Sequence, residues 1–313
     1  MQRYLLTRFF FSIFALIGAT AIVFSLSRLV SDPRMLYATE GYGMTPEAWE
    51  YLGKKLGLDK PLVVQYFVWL RQIATGDLGV SLQGRAPVKE LIGNRIGNTL
   101  QLGAAAWLLS TLVGVPLGVL SAVKRGSIFD YLGRGFAALG QAAPPFWIGI
   151  MGILFFAVKL GWLPSGTKGD GPSIANIDNF IMPAATLAWI SSASYLRLTR
   201  SAMLEVLDSE YVKFARAKGV SEWKVIWKHA FKNALIPPLT LSALILAGFS
   251  TGPVVVETVF TWPGLGKLAV DSVQQNDYPT MTGVVLFLAA VYVFVNFLTD
   301  MAYGWVDPRV RYT

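Results

Sequence analysis

The chain has 313 residues and a net charge of +8; 54% of it is hydrophobic and only 15% charged, where about 25% charged is usual in soluble domains. So few charged groups cannot coat a water-soluble globule of this size, which argues against an ordinary soluble enzyme. With no cysteine, disulfides, thiolate metal sites and cysteine nucleophiles are excluded.

Runs free of Asp, Glu, Lys and Arg divide the chain. The first, 9–27, follows Arg3 and Arg8, and no A-x-A site comes after it. It outlasts the roughly 7–15 apolar residues of a cleaved signal, so it reads as an uncleaved anchor over about 9–30. Residues 31–95 are polar and rich in turn formers, with amphipathic stretches such as Tyr66 to Ile73. They read as a long extracytoplasmic region completing an N-terminal section, 1–95. Further runs at 96–123, 135–158, 179–196, 233–256 and 278–299 match the roughly 17–25 residues that cross a hydrocarbon core. None alternates like a membrane β-strand. They predict helices over about 96–123, 135–160, 179–203, 233–256 and 278–304, forming a core 96–304 and giving an all-α membrane protein with six transmembrane helices. The run at 179–196 is the least lipid-like, carrying Pro183, Ser191, Ser192 and Ser194. Pro144-Pro145 and Pro237-Pro238 should kink or restart their helices. Gly114-x-x-x-Gly118 and Gly248-x-x-x-Gly252 space small residues so that helix backbones can approach.

Two segments between these runs are distinctive. In 205–238, residues 210–218 read as a short helix, with Gly219 suited to the left-handed position beyond its end. Ser221 can cap a second helix, with Glu222 favourable in its first turn. Lys224, Lys228 and Lys232 recur every four residues, interleaved with Val225, Ile226, Trp227 and Phe231. Such a stripe suits anionic lipid headgroups, whereas Phe214, Ala215 and Ala217 suit a knob entering another protein's groove. In ETVFTWPGLGKL (257–268), Pro263, Gly264 and Gly266 should forbid a continuous helix, while Phe260, Trp262 and Leu265 are too apolar for a free loop. A partly re-entrant loop packed at the outer mouth, acting as scaffold or gate, satisfies both constraints.

The basic residues set the orientation. With the N-terminus inside, 15 of the 27 Lys and Arg are cytoplasmic. Outside the long 28–95 loop, only Lys159, Lys168 and Lys267 fall on the other face. This positive-inside bias accounts for the net charge, so nucleic acid is not needed, and both termini, including a tail over 305–313, are placed in the cytoplasm. The lone His229 cannot build a histidine metal cluster, and no phosphate loop or nucleophile elbow is present. Ionisable residues lie at span ends rather than inside them, Glu257 among them as an interfacial anchor, so nothing marks a proton relay or ion path.

The stretches Y-V-K-F-A-R-A-K-G (211–219) and H-A-F-K-N-A-L-I-P (229–237) resemble the coupling segment of ATP-binding-cassette importer permeases, in the form of the dipeptide/oligopeptide branch. L-G-L-D-K-P-L-V-V-Q-Y-F-V-W-L (56–70), G-D-L-G-V-S (76–81), E-T-V-F-T-W-P-G-L-G (257–266) and D-P-R-V-R-Y (307–312) resemble the same branch. The resemblance implies the type I importer permease architecture. It also implies a coupling segment, 205–232, that docks on a separate ATPase. Lys213, Phe214, Ala215, Arg216, Ala217, Lys218, Gly219, Ser221 and Glu222 carry that role, centred on 215–219. The general importer motif has glutamate where Lys213 stands, and many members have a small residue at Phe214.

The implied function is the non-catalytic permease subunit of an ATP-driven importer in the bacterial plasma membrane. Its implied partners are a second permease, two ATPase subunits holding ATP and Mg, an extracytoplasmic solute-binding protein received partly by 31–95, and membrane lipid. The chain itself would bind no cofactor. Peptide is the expected cargo; the same branch also carries oligosaccharide, glutathione and nickel. Rival readings are a self-sufficient channel or secondary carrier, which the missing intramembrane charges disfavour, and a membrane-embedded enzyme, for which no catalytic constellation exists.

Overall fold

The computed structural model describes residues 2–30, 32, 34, 45–55, 57–169, 176–250 and 253–306. Among the described residues there is no strand, only one isolated bridge, Val80 to Pro87. The chain divides into two compact units, residues 1–97 with 264–313, and residues 98–263.

The first unit contains α1 (Gln2–Val30), α2 (Pro46–Lys55), α3 (Leu62–Ala74) and the opening turns of α4 (Val88–Val123). Later in the chain it adds α12 (Leu265–Gln274) and α13 (Tyr278–Val306). Most of the large apolar side chains of α1 face outward, from Leu6 and Phe9 through Phe14 to Leu26 and Leu29. In water that surface would be prohibitive; in a bilayer it is solvated by acyl chains. α1 packs along α13, with Phe9 edge-on to Phe297 at 6.1 Å between centroids. The core of this unit is Val88, Ile92, Leu265, Leu268 and Val284.

The second unit holds the rest of α4, then α5 (Ile128–Ala142), α6 (Pro145–Lys159), α7 (Ile177–Leu207) and α8 (Glu210–Ala217). It continues with α9 (Glu222–Ala234), α10 (Ile236–Ser250) and α11 (Val254–Val259). α7 is its axle, contacting α5, α6, α8, α9, α10 and α11. Gly114 and Gly118 explain how α4 reaches α7: a Cβ at Gly114 would lie 2.6 Å from the Ser192 carbonyl oxygen, and one at Gly118 2.8 Å from that of Leu196. The second glycine pair does not work this way, because a Cβ at Gly248 meets nothing within 4 Å and Gly252 lies outside the described residues.

By length and composition, three helical stretches among the described residues can cross a membrane: Leu6–Leu29, Val88–Val123 and Tyr278–Thr299. The number rises to five if two bent pairs each count as one span. The stretch expected as one helix over 135–160 is such a pair, α5 and α6, meeting at 107°. Pro144 breaks it, because it is held extended and Pro145 starts the next helix. A milder 54° bend separates α9 from α10 ahead of Pro237 and Pro238. α7, expected as a span over 179–203, does not qualify on hydropathy. Ser191, Ser192, Tyr195 and Thr199 are buried inside the unit, so its surroundings are other helices rather than lipid. The helix expected from 96 begins at Val88, and the tail expected over 305–313 lies outside the described residues from 307 on.

Candidate functional site

The segment after α7 is built as two short helices around a tight reversal. Ser209 opens α8 in extended conformation, and Gly219 closes it at φ +75°. The Val220 N–H donates to Ala215 O at 3.2 Å and the Gly219 N–H to Arg216 O at 2.9 Å, the paired bonds of a Schellman end. Arg216 then reaches Glu222 at 2.7 Å, pinning α9 to α8 across the turn. Ser221 stands at the start of α9, yet its hydroxyl makes no capping bond; its carbonyl accepts from Val225 N–H at 3.0 Å.

Val212 is the anchor of α8, fully buried, and α8 rests on α7 and α9. The opposite face carries Phe214, 62% exposed, with Ala217 and Lys218 beside it. The Lys218 ammonium lies 4.7 Å from the Phe214 ring centroid. Ala215, expected to share the outward face with Ala217, is half-buried on the flank, because two positions along a helix point about 200° apart. Lys213 pairs with Glu210 at 2.8 Å, and that carboxylate holds its ammonium above the usual lysine range.

α9 seats Ala230 and Ala234 against Val119, Ala122 and Met203. Its middle, Val225–Phe231, is π-helical, inserting a residue relative to the α register. Lys224, Lys228 and Lys232 are all exposed. Trp223, Trp227 and Phe231 form a chain of tilted and edge-on ring contacts beside them, with centroids 5.4 and 5.2 Å apart.

Behind this segment lies a polar clasp. Asp130, 2% exposed, receives two bonds from Arg200 at 2.7 and 2.9 Å, one from the Ser121 hydroxyl at 2.6 Å and one from Gly126 N–H at 3.0 Å. It joins the α4–α5 turn to α7.

The loop expected to be apolar and non-helical is folded in. In the second unit, α11 ends at a turn where Thr261 takes φ +51°. Phe260 and Trp262 are buried with Met182 and Leu187, and the Phe180 ring meets Trp262 edge-on at 5.3 Å. Asn98 is the hub here. Its carbonyl accepts from the Trp262 indole at 3.1 Å, and its side chain donates to Pro263 O at 2.8 Å and accepts from Lys168 at 2.7 Å. Glu257, expected at an interface, is instead fully buried and accepts from the Thr99 hydroxyl at 2.7 Å. In the first unit, Gly264 precedes α12 in extended form, while Leu265 and Gly266 are already helical and buried. The break therefore falls over 260–264, and Gly266 does not contribute to it.

The stretch G-D-L-G-V-S also has a structural purpose. Ser81 donates to the buried Asp277 carboxylate, which also accepts from Leu82 N–H at 3.1 Å and the Thr280 hydroxyl at 2.7 Å, and which caps the head of α13 through the Thr280 N–H at 3.4 Å. Separately, α6, α7, α10 and α11 line a cavity of about 410 Å³ whose wall includes Pro145, Leu187, Ser191, Phe249 and Val256. That wall offers few hydrogen-bonding groups.

Helices with lipid-compatible surfaces, joined by a helical reversal that carries an outward knob, mark a multi-pass membrane protein. The chain belongs to the family described as "Binding-protein-dependent transport system inner membrane component", whose model matches residues 114–312, with the N-terminal model of the same system matching 1–103. It is 38% identical over 338 aligned positions to the dipeptide transport system permease protein DppB of Escherichia coli, covering 100% of this chain and 99% of that one. It is likewise 38% identical to the oligopeptide transport system permease protein AppB of Bacillus subtilis, with both chains covered completely. Among solved structures, inward-facing forms of the MetNI methionine ABC transporter share the fold at a TM-score of 0.57 and 18% identity, over 69% of this chain and 96% of that one.

Proposed function

We propose that this chain is one of two permease subunits in an ATP-driven peptide importer of the bacterial inner membrane. It crosses the membrane six times, over 9–30 and five core segments between 96 and 304, with both termini cytoplasmic. Two separate ATPase subunits hold ATP and Mg and hydrolyse the nucleotide; this chain does none of that chemistry. An extracytoplasmic solute-binding protein delivers the cargo. The observation that carries the reading is α8: a two-turn helix, anchored by Val212 and presenting Phe214 and Ala217 outward, placed at the end of the long lever α7. Closure of the ATPase dimer would push on α8, α7 would carry the motion through the Asp130–Arg200 clasp, and the permease pair would turn outward to accept cargo. The buried turn around Trp262 and Asn98 supports a scaffold or gate role. The names of DppB and AppB support peptide over oligosaccharide, glutathione or nickel.

Reconstitution tests this. Proteoliposomes holding the chain with its partner permease and ATPases should take up peptide only with ATP and the binding protein, and mass spectrometry of ligand carried by that binding protein should find peptides. Uptake by the chain alone would establish the self-sufficient carrier instead.

A further inference from the structure

The region 31–95 reads from sequence as a polar extracytoplasmic loop, but α3 departs from that description. One face of α3 is bound to α1: the Tyr66 hydroxyl lies 2.8 Å from Thr20 Oγ1, and Phe24 of α1 packs on Tyr66 and Trp69 with centroids 5.5 and 5.2 Å away. The other face is also apolar. Val63 (66%), Phe67 (61%) and Val68 (48%) are exposed on it, with Leu62 and Val64 beside them. Arg71 interrupts the row only in the last turn.

The anchor point sets the depth. The apolar stretch of α1 runs Leu6–Leu29, and Thr20 lies nine residues before its end, about 13 Å at 1.5 Å per residue. Half a hydrocarbon core is about 15 Å. Tyr66 therefore meets α1 well inside the bilayer, where its hydroxyl needs the partner that Thr20 provides. The outward side chains of α1, among them Ile22 and Leu26, continue the same apolar surface.

We infer that α3 is sunk in the membrane, its Val63–Phe67–Val68 face covered by lipid acyl chains of the leaflet at the C-terminal end of α1. The inference rests on α1 spanning the membrane, and the proposed orientation makes that leaflet the outer one. Arg71 sits where its guanidinium can reach the headgroups. The 31–95 region then holds a lipid-facing brace beside whatever surface it offers to a binding protein.

The natural absence of cysteine makes the test direct. Spin labels on Val63→Cys, Phe67→Cys and Lys54→Cys, in the full chain assembled with its partners in phospholipid nanodiscs, would be relaxed with oxygen and with an aqueous nickel chelate. Labels at 63 and 67 should favour oxygen several-fold over the chelate, and the label at 54 should favour the chelate. Chelate access at 67 equal to that at 54 would overturn the inference, as would protection that appears only when a solute-binding protein is added. The orientation is read separately: an impermeant thiol reagent should label Lys54→Cys in intact spheroplasts, and labelling only after lysis would overturn the orientation while leaving the depth result standing.

Discussion

Replacing Asp130 with alanine removes the acceptor for four hydrogen bonds at once, two of them from Arg200. It strands the guanidinium, whose side chain is 22% exposed, and the Ser121 hydroxyl, which is buried. Breaking one side of a buried ion pair costs about 3–5 kcal/mol, and the partial exposure of Arg200 puts this case near the lower end. A loss of about 3 kcal/mol is roughly a hundredfold in the folded-to-unfolded ratio. Equilibrium unfolding in mixed micelles, followed by tryptophan fluorescence, reads it. The double variant Asp130→Ala with Arg200→Ala should lose clearly less than the sum of the two single changes, since each removes the other's stranded partner. Additive losses, or an Asp130→Ala change under about 0.5 kcal/mol, would refute the clasp as a coupled unit.

Gly114→Leu should prevent α4 from seating on α7, since even a Cβ would stand 2.6 Å from Ser192 O; folded yield by size-exclusion chromatography should collapse, whereas Gly248→Ala should leave it unchanged. Asn98→Ala removes the side-chain bonds to Pro263 and Lys168 and should cost about 1–3 kcal/mol. Faster amide hydrogen exchange confined to 257–264 would locate that loss at the turn, and unchanged exchange there would contradict the hub role. Gly219→Val forces a β-branched residue to φ +75° and should lower coupling efficiency, measured as transport per ATP hydrolysed, while permease abundance holds.

Composition and charge runs were enough to place the long apolar helices, because hydropathy is a local property that needs no partner. α7 escaped that logic: Ser191 and Ser192 are buried among neighbouring helices, which no hydropathy window can see. The short helix α8 and its end at Gly219 were legible, since a glycine that must take positive φ declares itself locally. The break between α5 and α6 was announced by Pro144-Pro145, but not its 107° magnitude, which depends on how α6 packs against α7. The clasp was invisible because Asp130 and Arg200 are 70 positions apart and look, one by one, like ordinary interfacial charges. Glu257 and Asn98 were missed for the same reason. Asp277 was missed too, although an aspartate immediately before an apolar run is a helix N-cap signal that could have found it. Within 31–95 the stretch Tyr66 to Ile73 was legible as amphipathic, but not the start of α3 at Leu62 or its attachment to α1, which depends on Thr20 and Phe24, more than 40 positions away.

The central claim is that α8 is the contact through which ATPase subunits drive this permease. A helix of two turns is marginal alone, since isolated helices shorter than about 12–15 residues rarely persist, so α8 depends on Val212 and on a docked partner. Ala217→Glu puts volume and a charge on the outward face, both opposing docking, while leaving Val212 and the spans untouched. The measurement is ATP-dependent uptake together with ATPase co-purification for this variant, with Lys228→Ala on α9 as the control. The account predicts near-normal permease abundance, loss of bound ATPase or of uptake in Ala217→Glu, and a smaller effect in Lys228→Ala. Wild-type uptake by Ala217→Glu with a full complement of bound ATPase would contradict it.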